Sequence, residues 1–395
     1  MVHGIGAVSE LSHDPDAVAA ALGIAWTDAR QRVLTRIAEY VAQETPSAHP
    51  ELLDPLAMRV ADDLRAAGAT VRGHAAAGLG TNLVADVAGQ EDAPPVLLLA
   101  HIDTVHPVGA FGDGAMRLED GRAYGPGVYD MKGGAALLVE ALTRLRERGR
   151  QPRRPVRFLV TCDEEIGSHS SRALIETHAR TAGAVLVPEP CMPDGGVKTG
   201  RKGVATYRLE TTGDAAHAGI DPGAGISASH ELARQMLDAF ALADHARGTT
   251  INIGMIGAGT ATNVIPGSAW ATIDVRLADL AEGDRVHDAL SRLHVYDARA
   301  GVTAQRTEYR PPLVRTPAVV ALYQHAHELA KELGFDLGEG STGGGSDGSI
   351  AAAEGAAVLD GLGPRGAGAH TLHEHILIDD LPLRLALLCR LLETL

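Results

Sequence analysis

A histidine and an aspartate stand directly after an apolar segment. Residues 96–100 read Val-Leu-Leu-Leu-Ala, and His101 and Asp103 follow them. A short continuous apolar run predicts a buried strand of a parallel sheet, and ligands of such sheets bind at the carboxyl ends of the strands. Because side chains alternate across a strand, His101 and Asp103 share one face, where the carboxylate can orient a metal-binding imidazole.

Acidic residues follow two further apolar segments. Residues 156–161 lead into three consecutive acids, 163–165, and residues 184–187 lead into Glu189. Adjacent carboxylates repel one another unless something positive lies beside them. A surface cluster of acids is the simpler interpretation of one such segment, but three strands that each end in acids or histidine favour convergence on one metal site.

Two glycine-rich segments could also take part in the chemistry. Asp130 stands in the first, residues 125–134, just before a helical pattern, and residues 341–348 form the second, before a short helix predicted to begin at Ser346. A glycine-rich loop before a helix is a weak phosphate-binding signal, and the lysine of a Walker motif is missing here. The same backbone N–H groups would suit a carboxylate equally well.

The elements that must position these residues form two groups. Further strands are predicted at 69–72 and 82–87, and amphipathic helices after Thr27 and over 52–64. A different pattern begins at residue 201: strand 204–212, helix 223–244, strand 250–257, strand 267–277, helix 282–293 and strand 301–310. This β-α-β-β-α-β order is the ferredoxin-like arrangement. A helix over 317–333, a strand at 356–359 and a helix from Asp379 follow it.

Length, charge and cysteine content restrict the class of protein. The chain has 395 residues, enough for two domains, and 45% of them are hydrophobic, as in a globular protein. A net charge of −15 argues against nucleic acid or an anionic membrane as the main partner. The three cysteines are widely separated, so neither a disulfide framework nor a thiolate zinc site is expected. With no run of about 18 apolar residues, we expect a cytoplasmic protein.

The motifs at 101–105 and 125–134 together resemble the di-zinc M20 peptidase family, which includes carboxypeptidase G2-like enzymes, aminoacylases and succinyl-diaminopimelate desuccinylases. They read His-Ile-Asp-Thr-Val and Gly-Pro-Gly-Val-Tyr-Asp-Met-Lys-Gly-Gly. The resemblance implies an α/β fold, with a zinc-peptidase-like mixed sheet flanked by helices and an inserted ferredoxin-like lid domain. The implied segments are a catalytic part over 1–200, in which 1–24 is an extension of unknown role, a lid over 201–312 and a second catalytic part over 313–395.

The resemblance also implies two zinc ions per subunit, which cobalt or manganese could replace. The ligands of one ion would be His101, Asp130 and Glu189, and those of the other Asp130, Glu165 and His370. Asp103 would orient His101. Glu164 would be the general base for attack by a metal-bound hydroxide, and it would pass the proton to the leaving nitrogen.

His370 and His373 compete for the last ligand position. In the family the ligand precedes a glutamate by four residues, and Glu374 follows His370 at that interval. The resemblance therefore favours His370. Other histidines near the motifs, His106 among them, are expected to have no special role.

The predicted lid contains further positions that match the family. His217 would stabilise the tetrahedral oxyanion, in some relatives from the partner subunit, and Asn263 would help to hold the oxyanion or the substrate. Arg276 would clamp a substrate carboxylate with its planar guanidinium. The loop positions that would bind substrate are Gly344, Gly345 and Ser346. Together these residues imply a substrate with a free α-carboxylate.

The function favoured by the sequence is di-zinc-dependent hydrolysis of an amide bond on the nitrogen of such an amino acid, as in a carboxypeptidase or dipeptidase. The alternatives are an N-acyl-amino-acid deacylase of the acetyl or succinyl type, and an inactive relative that acts as a binding protein. Glutamate-preferring relatives carry a lysine just before the lid, but Lys198 stands a residue or two out of register. We expect a small-molecule substrate, no nucleic-acid or membrane partner, and a homodimer formed through the lid.

Overall fold

The computed structural model describes residues 14–112 and 116–395. The chain forms two compact units. Unit 1 comprises the described residues up to Thr199 together with Arg315–Gly340 and Glu354–Leu395, and unit 2 comprises Gly200–Val314 and Ser341–Ala353. The segment predicted as the second catalytic part, 313–395, is therefore divided, because Ser341–Ala353 groups with unit 2.

A six-stranded mixed sheet lies in unit 1. Its strands, in spatial order, are β1 (Thr70–Ala76), β2 (Gly80–Val87), β6 (Val156–Thr161), β3 (Val96–His101), β7 (Ala184–Leu186) and β16 (Val358–Leu359). Strand β3 runs parallel to β6 and β7, and β7 to β16, whereas β2 is antiparallel to β1 and β6. Every residue of β3 is buried, which explains its continuous apolar run.

The helices of unit 1 pack by their apolar faces. They are α1 (Pro15–Leu22), α2 (Trp26–Val41), α3 (Pro50–Ala66), α4 (Lys132–Glu147), α5 (Arg172–Ala179), α8 (Pro317–Glu332) and α10 (Leu381–Thr394). Val33, Ile37 and Val41 of α2 recur every four residues and are all buried, as the helical spacing requires. Helix α4 contacts α2, α3, α10 and strand β3, so it links the helices to the sheet that carries His101.

Helix α1 was not predicted, because the segment 1–24 was expected to be an extension of unknown role. Asp14 caps it by accepting hydrogen bonds from the N–H groups of Asp16 and Ala17, at 3.0 and 3.1 Å. Val18 and Leu22 are buried, and α1 packs against α10. The part of the segment from Asp14 onwards therefore belongs to unit 1, while residues 1–13 lie outside the described residues.

A small antiparallel sheet in unit 1 joins two distant parts of the chain. Its order is β17 (Gly366–Ala367), β18 (His375–Leu377), β5 (Arg122–Tyr124) and β4 (Arg117–Glu119). The pairing of β18 with β5 places His375 opposite Tyr124. The loop that ends at β18 and the glycine-rich turn that begins after β5 therefore adjoin neighbouring strands. Strands of two or three residues are too short to show an alternating pattern, so this sheet was not predicted.

Unit 2 has the predicted β-α-β-β-α-β order. Its elements are β9 (Gly203–Thr212), α6 (Ala228–Phe240), β11 (Thr250–Ala258), β13 (Ser268–Leu277), α7 (Leu280–Ser291) and β14 (Gly301–Arg310). The strands form an antiparallel sheet in the order β11-β13-β9-β14. Along β13, Ala271, Ile273 and Val275 are buried in the core, so Asp274 and Arg276 share the opposite face.

Side-chain caps explain where the two helices of unit 2 begin. Helix α6 starts at Ala228 rather than at the predicted residue 223, because Ser227 caps it by accepting a hydrogen bond from the His230 N–H at 3.3 Å. Asp279 caps α7 in the same way, through the Glu282 N–H at 2.9 Å. The remaining short elements are β8 (Val197–Arg201), β10 (Ala216–His217), β12 (Val264–Ile265), β15 (Glu339–Thr342) and α9 (Asp347–Ala353).

Candidate metal centre

Three neighbouring parallel strands end at the same edge of the unit 1 sheet. Strand β3 lies between β6 and β7, and its last residue is His101. Glu164 and Glu165 follow β6 in one 3-10 turn, and Glu189 follows β7 by three residues. Because the strands are parallel, these four side chains arise from one end of the sheet, as the sequence predicted.

Asp130 reaches this edge because of a close backbone approach. Gly134 lies in the first turn of α4, and a Cβ atom there would stand 1.9 Å from the carbonyl oxygen of Pro188. Only glycine allows helix and strand end to approach so closely. The contact brings the turn that carries Asp130 beside the segment that carries Glu189.

The two carboxylate oxygens of Asp130 face two different groups of side chains. Asp130 Oδ1 lies 3.2 Å from His101 Nε2, which is 3.7 Å from Glu189 Oε1. Asp130 Oδ2 lies 3.4 Å from His370 Nε2, which is 3.3 Å from Glu165 Oε2. All five residues predicted as metal ligands are thus brought together in unit 1. His373 has an exposed side chain and lines a cavity beside β5 and β18 instead.

Asp103 organises the backbone of the acidic segment. Its carboxylate accepts hydrogen bonds from the N–H groups of Glu164 and Glu165, at 3.2 and 3.1 Å, and from Ser47 Oγ at 2.8 Å. The hydrogen bond to His101 Nδ1, at 3.0 Å, is accepted by the backbone carbonyl of Asp103, and the nearest carboxylate oxygen is 3.4 Å away. Both the carbonyl and the carboxylate of Asp103 therefore lie beside His101 Nδ1, and the carbonyl is the closer partner.

The electrostatics of the cluster depend on its two histidines. Burial disfavours a charged imidazole, but the contacts with Asp103 and Asp130 raise the pKa of His101 well above its ordinary value. Hydrogen bonds with Asp130 and Glu165 raise the pKa of His370 to about 10. Burial alone would raise the pKa of Asp130, but the two histidines lower it, whereas burial raises the pKa of Glu165. The carboxylates therefore favour positive charge at this position.

The donor atoms fit divalent metal ions. Zinc binds imidazole nitrogen and carboxylate oxygen, and a metal-bound histidine usually donates its other N–H to a carbonyl or carboxylate. His101 Nδ1 is held by the Asp103 carbonyl, which leaves Nε2 directed at the carboxylates. Glu165 Oε1 is buried and has no hydrogen-bond partner among the described residues. Donor atoms of His101, Asp130 and Glu165 all lie within 4.8 Å of one another.

Two residues beside the cluster were missed by the sequence analysis. Glu374 Oε1 accepts hydrogen bonds from the N–H groups of Tyr129 and Asp130, at 2.9 and 3.0 Å. Its Oε2 lies 2.5 Å from Nε2 of His106, which had been expected to have no special role. The four-residue interval from His370 had marked Glu374 in the sequence, but nothing there indicated these partners.

The predicted oxyanion residues lie in unit 2. His217, on β10, is exposed, and its Nδ1 accepts hydrogen bonds from the N–H groups of Gly219 and Ile220, both at 3.1 Å. Strand β10 pairs with β12, which follows Asn263, and the Asn263 carbonyl accepts a hydrogen bond from Ala218 N–H at 2.9 Å. The structure thus brings His217 and Asn263 into one substructure.

Arg276 and the glycine-rich loop also lie together in unit 2. Arg276 donates to both carboxylate oxygens of Asp274, each at 2.9 Å, and to the Gly343 carbonyl at 3.3 Å. The carbonyls of Gly344 and Gly345 accept hydrogen bonds from Arg201, at 3.2 and 2.9 Å. Ser346 Oγ accepts the Gly348 N–H at 3.1 Å, at the start of α9. The clamp predicted at Arg276 already holds a carboxylate of its own chain.

Comparison with known proteins identifies relatives over most of the chain. The family described as peptidase family M20/M25/M40 matches residues 97–394. Carboxypeptidase G2 of Pseudomonas sp. is 33% identical over 373 residues, which cover 93% of this chain and 90% of that protein. The succinyl-diaminopimelate desuccinylase of Methylobacterium sp. is 31% identical over 384 residues, which cover 88% and 92%.

Solved structures agree on the fold. The aminopeptidase PepT of Bacillus cereus has a TM-score of 0.74 at 22% identity and covers 92% of this chain and 98% of its own. An M20 family metallo-carboxypeptidase of Sulfolobus solfataricus has a TM-score of 0.70 at 17% identity, with coverage of 91% and 98%. The predicted fold class, a mixed α/β architecture of the zinc-peptidase type, is confirmed. Among the described residues, no helix has both the length and the apolar character needed to cross a membrane.

Proposed function

The chain belongs to the M20 peptidase family, and from that premise we propose that it hydrolyses an amide bond on the nitrogen of an amino acid whose carboxylate is free, as carboxypeptidases and dipeptidases do. One observation carries the proposal: the two oxygens of Asp130 face two separate pairs of histidine and glutamate. A carboxylate shared between two ligand groups is the arrangement required by a pair of divalent ions.

Two zinc ions suit these donors, and cobalt or manganese would accept the same set. The proposed ligands are His101, Asp130 and Glu189 for one ion and Asp130, Glu165 and His370 for the other. Bound there, the ions would polarise the substrate carbonyl and lower the pKa of a water molecule.

Glu164 is the proposed general base. It takes the proton of the attacking water as the carbon–oxygen bond forms, and it delivers that proton to the nitrogen as the carbon–nitrogen bond breaks. The side chain is 8% exposed, and its charge contributes to the raised pKa of His101. Asp103 holds the backbone N–H groups of Glu164 and of Glu165, so one carboxylate positions both the base and a ligand.

His217 and Asn263 are the proposed donors to the developing oxyanion. Because His217 Nδ1 accepts two backbone N–H groups, the proton of the neutral imidazole lies on Nε2. A neutral histidine with a free Nε2–H is the form that donates a hydrogen bond to a negative oxygen. The hydrogen bond between Ala218 and the Asn263 carbonyl keeps the two donors adjacent.

Arg276 and the loop of Gly344, Gly345 and Ser346 are proposed to receive the substrate carboxylate. Arg276 keeps about a third of its side chain exposed, at 35%. A substrate carboxylate would replace Asp274 as the acceptor for the N–H groups along one edge of the guanidinium, which favours carboxylates over neutral groups. This exchange would make unit 2 selective for substrates with a free carboxylate. The free-energy cost of the exchange is modest, because Arg276 is paired with a carboxylate both before and after the substrate binds.

A deacylase is the second candidate, since desuccinylases as well as a carboxypeptidase are similar to this chain. A hydrolysis screen with added zinc would compare dipeptides and N-acyl amino acids with the same compounds as carboxyl-terminal amides. We expect turnover of free acids, weak turnover of amides, and loss of both on chelation. Preferential turnover of succinyl or acetyl compounds would select the deacylase. No turnover of any compound by a metal-loaded protein would favour a binding protein.

A homodimer through unit 2 is the proposed assembly. Strand β11 is an edge strand, and Met255 and Ile256 on it are exposed, as are Leu237 and Phe240 on α6. Apolar residues beside an open sheet edge favour pairing with a second copy.

If His217 acts on the partner's site, a mixture of Glu164→Gln and His217→Ala chains should recover about a quarter of wild-type activity after random exchange. No recovery despite measured subunit exchange would place His217 in its own chain's reaction or outside the reaction.

A further inference from the structure

Glu374 is a fully buried carboxylate that joins two segments of the proposed metal centre. Its own segment is the loop between β17 and β18, which also carries His370, four residues earlier. Its Oε1 accepts the N–H groups of Tyr129 and Asp130, at 2.9 and 3.0 Å, in the turn after β5. The two segments are separated by 244 residues in the chain, from Asp130 to Glu374.

The side chains that meet across this junction are those of Asp130 and His370, 3.4 Å apart. His370 has a φ of 65°, in the left-handed region that a residue other than glycine adopts only when its surroundings impose it. The pairing of β18 with β5 holds the C-terminal end of the loop. Glu374, one residue before β18, ties the same end directly to the backbone of Asp130, so the position of His370 relative to Asp130 depends on this carboxylate.

The negative charge of Glu374 strengthens the junction. Hydrogen bonds from backbone N–H groups to an ionised carboxylate are about twice as strong as neutral ones. His106 holds the other oxygen, and its ring packs edge-on against Phe111, with ring centroids 5.0 Å apart. The carboxylate is therefore satisfied on both oxygens and fixed in orientation. A glutamine of the same size has one acceptor oxygen instead of two, so it would keep all three contacts only with His106 in the tautomer whose Nε2 accepts a hydrogen bond.

We propose that Glu374 is a positioning residue, which sets the metal affinity of the centre by fixing Asp130 against His370, and that His106 supports it. The inference rests on the proposed function, because it assumes that these ligands bind ions. In this role Glu374 contacts neither the substrate nor an ion.

A titration with Co²⁺ tests the proposal without substrate. Metal-free wild-type protein and variants would be titrated, and the visible absorption of bound Co²⁺ would report both affinity and ligand geometry. Glu374→Gln should weaken binding by about 10–100-fold, the usual cost of removing a group that orients metal ligands, and should shift the absorption bands. His106→Gln removes one contact only, so it should produce a smaller loss of affinity.

Glu140→Gln is the matched control. Glu140 is also buried, at 1% exposure, but it pairs with Arg32 and Arg36 on the helices. The Glu140→Gln variant should bind Co²⁺ with wild-type affinity even if the substitution lowers its Tm. Co²⁺ affinity of Glu374→Gln within about threefold of wild type, or an equal loss in Glu140→Gln, would overturn the positioning role. A wild-type protein that binds Co²⁺ but hydrolyses no amide would contradict the proposed function alone.

Discussion

Unit 1 and unit 2 each contain a cluster of buried charge, and the two clusters are balanced differently. In unit 1, Asp130 and Glu165 face His101 and His370. In unit 2, Glu282 at the start of α7 accepts hydrogen bonds from Arg247, Arg285 and Thr249, between 2.7 and 3.1 Å. One carboxylate therefore carries permanent counter-charges, whereas the others face groups that are positive only when protonated.

The pKa shifts of the two glutamates run in opposite directions. Hydrogen bonds from Arg285, Thr249 and Arg247 lower the pKa of Glu282 to about 2. Burial raises the pKa of Glu165, although His370 opposes the shift. Glu282 is thus stabilised as an anion by its own chain, whereas the proposed metal ligand Glu165 would be stabilised as an anion by a bound cation. Substitutions should separate the clusters by what is lost: metal and activity in unit 1, stability in unit 2.

Asp130→Ala should produce the largest effect. It removes the only carboxylate proposed to serve both ions, so metal content and activity should fall together to background in elemental analysis and in the hydrolysis assay. Asp163→Asn is a suitable control, because Asp163 is a buried carboxylate that follows β6 beside Glu164 but accepts the Ser170 N–H. It should keep both ions. Two ions retained in Asp130→Ala would remove the shared role.

Glu164→Gln should separate chemistry from metal binding within unit 1. Removing a group that transfers a proton commonly costs about 10²–10⁴-fold in rate, and no proposed ligand is lost. We expect kcat to fall by that factor with metal content unchanged, whereas Glu165→Gln should lose metal. If Glu164→Gln retains more than a tenth of wild-type kcat, the general base has been misassigned.

Arg276→Ala tests an ion pair that shares a property with each cluster. Arg276 is paired with Asp274 of its own chain, like the arginines around Glu282, but it is proposed to bind the substrate carboxylate in place of Asp274. A charged bidentate hydrogen bond predicts a loss of about 10–100-fold in kcat/KM for free-acid substrates, with little change for their amides. Arg208→Ala is matched to it, because Arg208 pairs with Glu210 at the same spacing on the neighbouring strand. Equal losses on acids and amides would exclude Arg276 from carboxylate recognition.

The features that the sequence predicted are those determined by local pattern. The apolar runs before His101, Glu164 and Glu189 predict strands that end at one edge, and the structure has that edge. The strand boundaries of unit 2 agree within a residue because buried and exposed side chains alternate along β9 and β13. The choice of His370 depended on family resemblance rather than on its own surroundings.

The features that the sequence did not predict depend on contacts between distant segments or on where an element stops. Glu374 lies beside Asp130 because the short strands β5 and β18 pair, and neither strand is long enough to show an alternating pattern of apolar and polar residues. Alternation predicted that the Asp103 side chain would face His101, and its carboxylate lies 3.4 Å from His101 Nδ1, but the closer contact with the Asp103 backbone carbonyl, at 3.0 Å, was not predicted. Helix α1 required the cap at Asp14, which lies in a segment without family resemblance.

Glu282→Gln should have the smallest effect, and it should change stability without changing metal content or kcat. The folded-state pKa of about 2 lies below the ordinary value of 4.5, so the charged form stabilises the fold above pH 4.5. That contribution is lost as the pH falls towards 2. At pH 7 the substitution should cost about 1.5 kcal/mol, the lower end of the range for hydrogen bonds to a charged group, because Arg247 and Arg285 are partly exposed. Calorimetry should show a lower Tm at pH 7 that converges with the wild type in acid.

Asp288→Asn is the control for Glu282→Gln. It breaks only an exposed pair with Arg292, so it should leave Tm nearly unchanged. An equal Tm shift for both variants would show that the Glu282 cluster contributes no more than a surface ion pair, and the contrast between the two units would then rest on unit 1 alone.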